Sequence, residues 1–214
     1  MSFIKIFESE IAMTIKIIDI IKLELKKKKY LSIAFSGGKT PITLFKSLAT
    51  SNINWKNIHI FLVDERWVPL DHTDSNYCMI NKFLLKYIDI PIKNIHPIPY
   101  LLSIEDSKKK YLSDIFQYFK DDIVFDIIFL GVGSDGHTAS IFEKNEVNLV
   151  EDVIITSSKR HPYKRISLGM NTINNSKRKI FLIGPEKIPI IKSSSFKNLP
   201  GSHVTDSQIF SYKK

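Results

Sequence analysis

The sequence predicts an α/β protein, with a three-layer α/β/α architecture in which a mostly parallel, Rossmann-like sheet lies between helices. Two observations predict this fold. Short apolar runs, typical of strands buried on both faces, alternate with longer segments of helical periodicity. Three of these runs end in polar or glycine-rich clusters, as strands do at the ligand-binding edge of a parallel sheet.

Length and composition predict a single domain over residues 1–214. A chain of 214 residues that is 43% hydrophobic and 25% charged has the composition of an ordinary globular protein. A domain of this size buries on the order of 70% of the surface that its unfolded chain exposes. One core is therefore sufficient, and no internal repeat or low-complexity linker divides the sequence.

The first part of the chain alternates between helical and strand patterns. Residues 8–29 carry isoleucine and leucine at spacings of three or four, which predicts a helix with one buried face. The apolar run 31–35 predicts a strand that ends at two glycines. A proline then opens a helix over residues 41–49, because the first helical position needs no N–H donor. Residues 58–63 predict a second buried strand.

The same alternation continues after residue 70. Asp74 is expected to cap a helix over residues 75–88, and a further helix is predicted over 104–119. The run 125–130 predicts a third clear strand. Beyond residue 150 the pattern is less regular, and it predicts strands over 153–156, 165–168 and 179–183 and a loop over 193–201.

The positive charge does not predict a nucleic-acid partner. The chain has 31 Lys and Arg against 22 Asp and Glu, a formal net charge of +9. Only four of the basic residues are arginines, and the lysines are spread along the sequence. The longest lysine cluster, residues 26–29, ends a predicted helix, where cations interact favourably with the helix dipole. We therefore expect no nucleic-acid binding.

No segment has the pattern of a membrane span or a signal peptide. The apolar run 123–132 is interrupted by Asp126 and has about half of the ~20 residues that a bilayer span needs. Glu8 and Glu10 stand where a signal peptide would be apolar, and Cys78 is the only cysteine. We expect a cytoplasmic protein that has no membrane partner.

Residues 36–40, Ser-Gly-Gly-Lys-Thr, have the chemistry of an anion-binding turn. The glycines let backbone N–H groups approach an oxyanion, the hydroxyls add donors, and the next helix directs its N-terminus at the site. A tight strand-to-helix turn without a ligand explains this motif equally well. The spacing matches neither the dinucleotide-binding fingerprint nor the P-loop.

Two carboxylates and a guanidinium, Asp64, Glu65 and Arg66, follow the second strand. In the functional interpretation, Arg66 pairs with an anionic group of a substrate or intermediate, and Asp64 orients a hydroxyl or a base. In the structural interpretation, Arg66 only neutralises its neighbours. His72 and Asn76, on the approach to the next helix, either line the site or cap the helix.

Residues 131–138, Gly-Val-Gly-Ser-Asp-Gly-His-Thr, give the strongest local signal for catalysis. Histidine is the side chain best suited to accept a proton from water near neutral pH, and Asp135 can set the tautomer of His137. A histidine with a purely structural role packs against apolar side chains, which the preceding glycines do not provide. The motif therefore favours a general base.

Other catalytic chemistries are disfavoured. His59, His96 and His161 do not show the spacing of metal ligands, so we expect no metal site. Ser36 and Ser140 lack the context of a nucleophile elbow, which argues against a covalent serine mechanism.

Taken together, the three motifs resemble those of the 6-phosphogluconolactonases, in the glucosamine-6-phosphate isomerase/6-phosphogluconolactonase superfamily. The resemblance covers about residues 5–212 and rests on the order and intervals of residues 35–41 (Phe-Ser-Gly-Gly-Lys-Thr-Pro), 63–69 (Val-Asp-Glu-Arg-Trp-Val-Pro) and 130–142 (Leu-Gly-Val-Gly-Ser-Asp-Gly-His-Thr-Ala-Ser-Ile-Phe). Arg160, Pro162 and Arg165 resemble the segment with which this family supplies basic residues to a sugar phosphate.

The similar glucosamine-6-phosphate deaminases share the fold and the Ser-Gly-Gly and Asp-Gly-His elements. They typically have Tyr after Asp-Glu and continue the histidine motif with Ile-Ala-Phe-Asn-Glu, whereas this chain has Arg66 and Thr-Ala-Ser-Ile-Phe over residues 138–142. Both differences favour the lactonases. Two positions depart from the lactonase pattern: Lys39 replaces a small hydroxyl residue, and Glu143 stands where proline is usual.

The resemblance implies hydrolysis of 6-phospho-D-glucono-1,5-lactone to 6-phospho-D-gluconate in the oxidative pentose phosphate pathway, without a metal or cofactor. The implied catalytic residues are His137 as general base, Asp135 as the group that orients it, and Arg66 as an oxyanion donor. The implied substrate-binding residues are Ser36, Gly37, Gly38, Lys39, Thr40, Asp64, Gly133, Arg160 and Arg165.

The expected partner is thus a phosphorylated sugar lactone, bound by a monomer or a homodimer. Glucosamine-6-phosphate deamination and sugar-phosphate binding without catalysis are the alternatives. The second alternative normally requires a DNA-binding segment, and the sequence before residue 31 predicts only a single helix.

Overall fold

The structure, a computed structural model, describes residues 3–213. The strands in this part of the chain are β1 (Phe3–Phe7), β2 (Leu31–Phe35), β3 (Ile58–Leu62), β4 (Asp64–Arg66), β5 (Ile95–His96), β6 (Ile127–Leu130), β7 (Val153–Ser158), β8 (His161–Leu168), β9 (Arg178–Leu182) and β10 (Ser207–Tyr212). The α-helices are α1 (Glu10–Lys27), α2 (Pro41–Ala49), α3 (Asn76–Phe83), α4 (Ile104–Phe119), α5 (Lys144–Val147), α6 (Met170–Asn175) and α7 (Ile188–Lys192).

A seven-stranded sheet forms the centre of the molecule, with the strand order β1-β10-β9-β6-β2-β3-β5. All six adjacent pairs in it are parallel. Every residue of β2 and β6 is buried, so the middle of the sheet is covered on both faces. The predicted α/β fold with a mostly parallel sheet is confirmed.

Aromatic side chains fill the core next to the central strands. Phe35 on β2 stacks on Phe129 of β6, with ring centroids 5.2 Å apart, and meets Phe45 of α2 edge to face at the same distance. Such pairs contribute about 0.5–1.5 kcal/mol beyond the burial of their area. This packing fixes the strand ends from which the polar motifs start. No helix in residues 3–213 is long and apolar enough to span a bilayer.

A second, antiparallel sheet, in the order β4-β8-β7, was not predicted from the sequence. Residues 64–66, interpreted as a cluster at a strand end, form its edge strand β4, where Arg66 is the register partner of Arg165 on β8. Val63 joins the two sheets, because its N–H donates to Phe35 O at 2.9 Å and its carbonyl accepts from Leu168 N at 2.8 Å.

The helix predicted over residues 75–88 is shorter, and its expected cap is wrong. Ser75, not Asp74, is the N-cap: its Oγ accepts from Cys78 N at 3.1 Å and donates to Glu65 Oε2 at 2.9 Å. Glu65 fixes this position, because its carboxylate also accepts the first backbone N–H groups of α3. Asp74 instead accepts a hydrogen bond from the hydroxyl of Tyr163.

Candidate active site

The three sequence motifs meet at one cavity of about 370 Å³. Residues 36–41 after β2, the loop 131–133 after β6, and Asp64 and Arg66 on β4 all contribute to its wall, together with Arg165 of β8. This volume is within the range of small-molecule sites. The expectation that distant polar clusters line a single crevice is therefore met by the geometry.

The turn between β2 and α2 forms one end of the cavity. Gly38 has a φ of 103°, in the left-handed region that glycine occupies without steric cost. A Cβ at Gly37 would lie 1.8 Å from Asn76 Oδ1, so only glycine lets the turn pack against this amide. Asn76 in turn donates from Nδ2 to Asp64 O at 2.8 Å. Residues 36–40 are thus held in place from α3 and β4.

Three buried polar atoms at the cavity have no hydrogen-bond partner within residues 3–213. They are Ser36 Oγ, Arg66 Nε and Arg165 Nε. An unpaired buried donor costs about 1–3 kcal/mol, more when the group is charged, and anionic groups of a ligand would satisfy such donors. Together with the N-terminus of α2, this set is suited to a phosphate.

Arg66 and Arg165 lie side by side on neighbouring strands of the small sheet. Arg165 is only 6% exposed, and burial, followed by the charge of Arg66, lowers its pKa. Arg66 donates a hydrogen bond from one terminal nitrogen to Asp74 O at 2.5 Å. Within residues 3–213, it forms no ion pair with Asp64 or Glu65. The structural interpretation, in which Arg66 neutralises its neighbours, therefore does not fit the geometry.

Asp64 and Glu65 have different surroundings. Asp64 lines the cavity and accepts a hydrogen bond from Ser140 Oγ at 2.6 Å. Glu65, 1% exposed, accepts from the backbone N–H groups of Arg66, Asn76 and Tyr77 at 2.7–2.8 Å. Burial raises the pKa of Glu65, and these hydrogen bonds oppose the rise. Only Asp64 is available to a ligand.

His137 and Asp135 form a dyad, and the histidine lines the same cavity. His137 Nδ1 lies 2.5 Å from Asp135 Oδ1, so Nε2 is the ring nitrogen that remains to exchange a proton. Burial pushes the pKa of Asp135 upward, but the charge of His137 and the hydrogen bonds from His137 and His161 lower it to about 2. The carboxylate is therefore ionised at any pH where an imidazole titrates.

Gly133 makes room for this dyad. A Cβ at position 133 would lie 2.2 Å from both Cε1 and Nδ1 of His137 and 2.7 Å from Asp135 Oδ1. The loop is closed by hydrogen bonds from Gly133 N to His137 O at 2.9 Å and from Thr138 Oγ1 to Gly131 O at 3.0 Å. Close approach of the backbone thus positions the imidazole.

Most of the predicted site residues line the cavity: Ser36, Gly37, Gly38, Lys39, Thr40, Asp64, Arg66, Gly133, His137 and Arg165. Asp135 is not part of the cavity wall, but it is hydrogen-bonded to His137. Arg160 is the exception, since it lies exposed in the turn between β7 and β8 and is not part of the cavity wall. Glu143 is likewise outside the wall, where it is the N-cap of α5.

Sequence reasoning missed two kinds of cavity residue. His161, the first residue of β8, contributes to the wall, although it was considered only as a metal ligand and rejected on spacing. Glu186 and Lys187, in the 3-10 turn Pro185–Lys187, also line the cavity. The only signal for His161 is its position beside Arg160 and Pro162.

Of the two alternatives left open for Asn76, the structure favours a lining residue. Asn76 contributes to the cavity wall, whereas Ser75 caps the helix.

Asp135, His137 and His161 are also the group in which a metal ion could be considered, because their ligand atoms lie within 4.8 Å of one another. The 2.5 Å between Asp135 Oδ1 and His137 Nδ1 is a hydrogen-bond distance, in which a proton occupies the space between the atoms. The arrangement is that of a hydrogen-bonded dyad with a second imidazole beside it.

Comparison with known proteins agrees with this geometry. Residues 8–210 match the family model described as glucosamine-6-phosphate isomerases/6-phosphogluconolactonase. The chain belongs to this family.

A crystal structure of 6-phosphogluconolactonase from Thermotoga maritima superposes on the chain with a TM-score of 0.91 and 32% identity, covering 100% of both chains. The Synechocystis 6-phosphogluconolactonase is 37% identical over 157 residues, which are 71% of this chain and 65% of that relative. The human GDH/6PGL endoplasmic bifunctional protein is 36% identical over 160 residues, 71% of this chain but only 20% of the relative. The match to these two relatives thus spans less than two thirds of their length.

The name of the glucosamine-6-phosphate isomerase/6-phosphogluconolactonase family covers two activities. Both activities are named for sugar phosphates. Because the two groups of enzymes share the Asp-Gly-His element, the residues that distinguish them in this chain are Arg66 and residues 138–142.

Proposed function

We propose that this protein hydrolyses 6-phospho-D-glucono-1,5-lactone to 6-phospho-D-gluconate, in the oxidative pentose phosphate pathway. The observation that carries the proposal is the presence, in one cavity, of the Asp135–His137 dyad and of three unpaired donors around the Arg66–Arg165 pair. The names of the similar proteins support the same reaction.

The phosphate of the substrate binds at Ser36, at the backbone of the turn 36–40 and at Arg165. A dianion there fills the unpaired hydrogen-bonding positions of Ser36 and Arg165 and offsets the positive charge that Arg165 shares with its neighbour Arg66. Lys39 adds positive charge from the exposed rim. Binding at this remote end holds the ester against the dyad, which lowers the entropic cost of the reaction.

His137 is the general base. Its Nε2 removes a proton from water as the water oxygen attacks the lactone carbonyl carbon and forms a tetrahedral intermediate. When the bond between this carbon and the ring oxygen breaks, His137 returns the proton to the ring oxygen, which becomes a hydroxyl. Asp135 holds the Nδ1–H tautomer and stabilises the imidazolium that forms in between.

Arg66 is the donor for the developing oxyanion, assisted by N–H groups of the loop 131–133. Removing one such donor typically costs about 3 kcal/mol of transition-state stabilisation. Asp64, held by Ser140, accepts a hydrogen bond from a substrate hydroxyl. The proposed mechanism uses no metal, nucleotide or covalent intermediate.

The proposal is tested with freshly generated lactone in a pH-stat, with uncatalysed opening subtracted, and with glucosamine 6-phosphate in an ammonia assay. We expect rapid lactone opening and no ammonia. In His137→Gln, kcat for the lactone should fall by ~100-fold or more, with little change in KM, because only the base is lost.

His59→Gln is the matched control, since His59 lies on β3, outside the cavity wall, and this variant should keep the wild-type kcat. Ammonia release without lactone hydrolysis would assign the deaminase reaction instead. A wild-type kcat in His137→Gln would show that another group is the base.

A further inference from the structure

His161 is a second imidazole beside the dyad, and the mechanism above gives it no role. Its Nε2 lies 3.4 Å from Asp135 Oδ2, the carboxylate oxygen that His137 does not contact. The rings of His137 and His161 are 5.0 Å apart and nearly perpendicular, at 74°. One carboxylate thus stands between two histidines that are well separated in the sequence.

The position of the His161 ring is set by its surroundings. His161 begins β8 and is the register partner of Ser158 on β7, so its backbone is fixed by the hairpin. Its ring stacks on Phe142 with centroids 5.0 Å apart and an interplanar angle of 25°. Phe142 also contacts His137, with centroids 4.9 Å apart, and so spaces the two imidazoles.

We propose that His161 is a positioning residue for lactone hydrolysis: it donates its Nε2–H to Asp135 Oδ2 and thereby keeps the other oxygen of that carboxylate on His137. This inference rests on the proposed function. Asp135 is 20% exposed at its side chain and sits in a loop. Its two hydrogen bonds with His137, from Nδ1 at 2.5 Å and from the backbone N–H at 3.3 Å, both reach Oδ1 and leave Oδ2 unrestrained. A donor on the opposite oxygen removes that freedom.

The same contact keeps Asp135 in the orientation in which it stabilises the imidazolium that forms on His137 during the reaction. The hydrogen bond from His161 is one of the contributions that hold the pKa of Asp135 low, which agrees with this geometry.

Other charged groups also face the dyad across the cavity. These are Lys39, Asp64, Arg66, Arg165, Glu186 and Lys187. Because all six are retained when only position 161 is changed, a difference between variants reports the contact with Asp135.

The test compares His161→Phe, which keeps the stacked ring but has no donor, with His161→Gln, which keeps a donor. Both kcat and KM for the lactone are measured from about pH 5 to about pH 9. In His161→Phe we expect kcat to fall several-fold with KM unchanged, because Asp135 is no longer held against His137. His161→Gln should restore kcat towards the wild-type value.

Three results would overturn the proposal: an unchanged kcat and KM in His161→Phe, a higher KM at constant kcat, or a His161→Gln variant as impaired as His161→Phe. The second would make His161 a substrate-binding group, and the third a packing residue.

A further measurement uses the wild-type protein alone, so its result does not depend on whether a variant folds or on enzymatic activity. Nitrogen NMR of the ring of His161 at neutral pH should show the Nε2–H form, and a bare Nε2 would exclude donation to Asp135. If the wild type has this tautomer but does not open the lactone, the proposed function fails and the contact stands. If it opens the lactone with a bare Nε2, only the inference about His161 fails.

Discussion

Two arginines side by side are unfavourable unless an anion lies between them. Arg66 and Arg165 are register partners, and Arg165 is almost fully buried. Removing one guanidinium should therefore weaken the binding of a phosphorylated ligand without unfolding the protein.

In Arg165→Met, we expect KM for the phosphorylated lactone to rise about tenfold or more, with a smaller change in kcat, since a charge-assisted hydrogen bond contributes ~1.5–3 kcal/mol. The unfolding free energy should stay the same or rise. Steady-state kinetics and thermal unfolding, with and without inorganic phosphate, measure both quantities.

Arg178→Met is the matched control, because Arg178 on β9 pairs with Glu24, away from the cavity wall. Phosphate should raise the unfolding temperature of the wild type and of this control more than that of Arg165→Met. If phosphate raised the unfolding temperature equally in all three proteins, the anion would bind at another site.

The sequence predicted those site residues that lie close together along the chain. Asp135 and His137 are two positions apart, and residues 36–40 follow a strand directly, so spacing alone brings these groups together. Arg165 was identified only through the family resemblance. His161 was dismissed, because its contact with Asp135 spans 26 positions and exists only after the hairpin of β7 and β8 has formed.

Among the secondary-structure elements, α3 depends on a side chain from another strand. Glu65 on β4 accepts from the N–H groups of Asn76 and Tyr77 and from the Ser75 hydroxyl, which caps the helix from outside. Strand β4 and helix α3 are thereby linked through one buried carboxylate, next to Arg66.

Glu65→Gln should lower the free energy of unfolding by about 2 kcal/mol, because one acceptor oxygen becomes an amide donor facing buried N–H groups. Urea unfolding followed by circular dichroism measures this loss. Glu105→Gln, an exposed residue in the first turn of α4, should change stability by less than about 0.5 kcal/mol. A Glu65→Gln variant as stable as the wild type would contradict the capping role.

Elements with continuous apolar runs or a clear helical period were predictable, as for β2, β3, α1 and α4. The strands that were missed have other patterns. β1 is an edge strand with mostly exposed or half-buried residues, and the three charged residues of β4 look like a loop until β8 pairs with them. Pairing between distant segments leaves no local signal.

Across the whole molecule, a histidine pair on β3 and β5 is expected to make stability depend on pH in the acid range. His59 of β3 and His96 of β5 are joined by a hydrogen bond of 2.9 Å between Nδ1 and Nε2, which requires at least one ring to be neutral. Burial, with the charge of Lys93, lowers the pKa of His59 to about 4, and burial, with His59, lowers that of His96 to about 4.

Because these pKa values lie below the reference value of 6.5, the unfolded state binds more protons than the folded state between about pH 6.5 and about pH 4. Stability should be highest above this window and fall as the pH decreases through it. The melting temperature, measured at intervals across the window, should show this slope.

The double variant His59→Phe with His96→Phe keeps both rings and removes both titrating groups. Its melting temperature should depend much less on pH within this window, even if its value at neutral pH differs. The same slope in the wild type and in the variant would assign the acid sensitivity to other groups.

Val63 has a consequence for how the cavity responds to a ligand. This single residue hydrogen-bonds to β2, which leads into the turn 36–40, and to β8, which carries Arg165. Main-chain bonds, rather than flexible side chains, therefore join the two segments that carry the turn and the buried guanidinium. We expect these two segments to keep their separation when an anion binds, so that only side chains adjust to it.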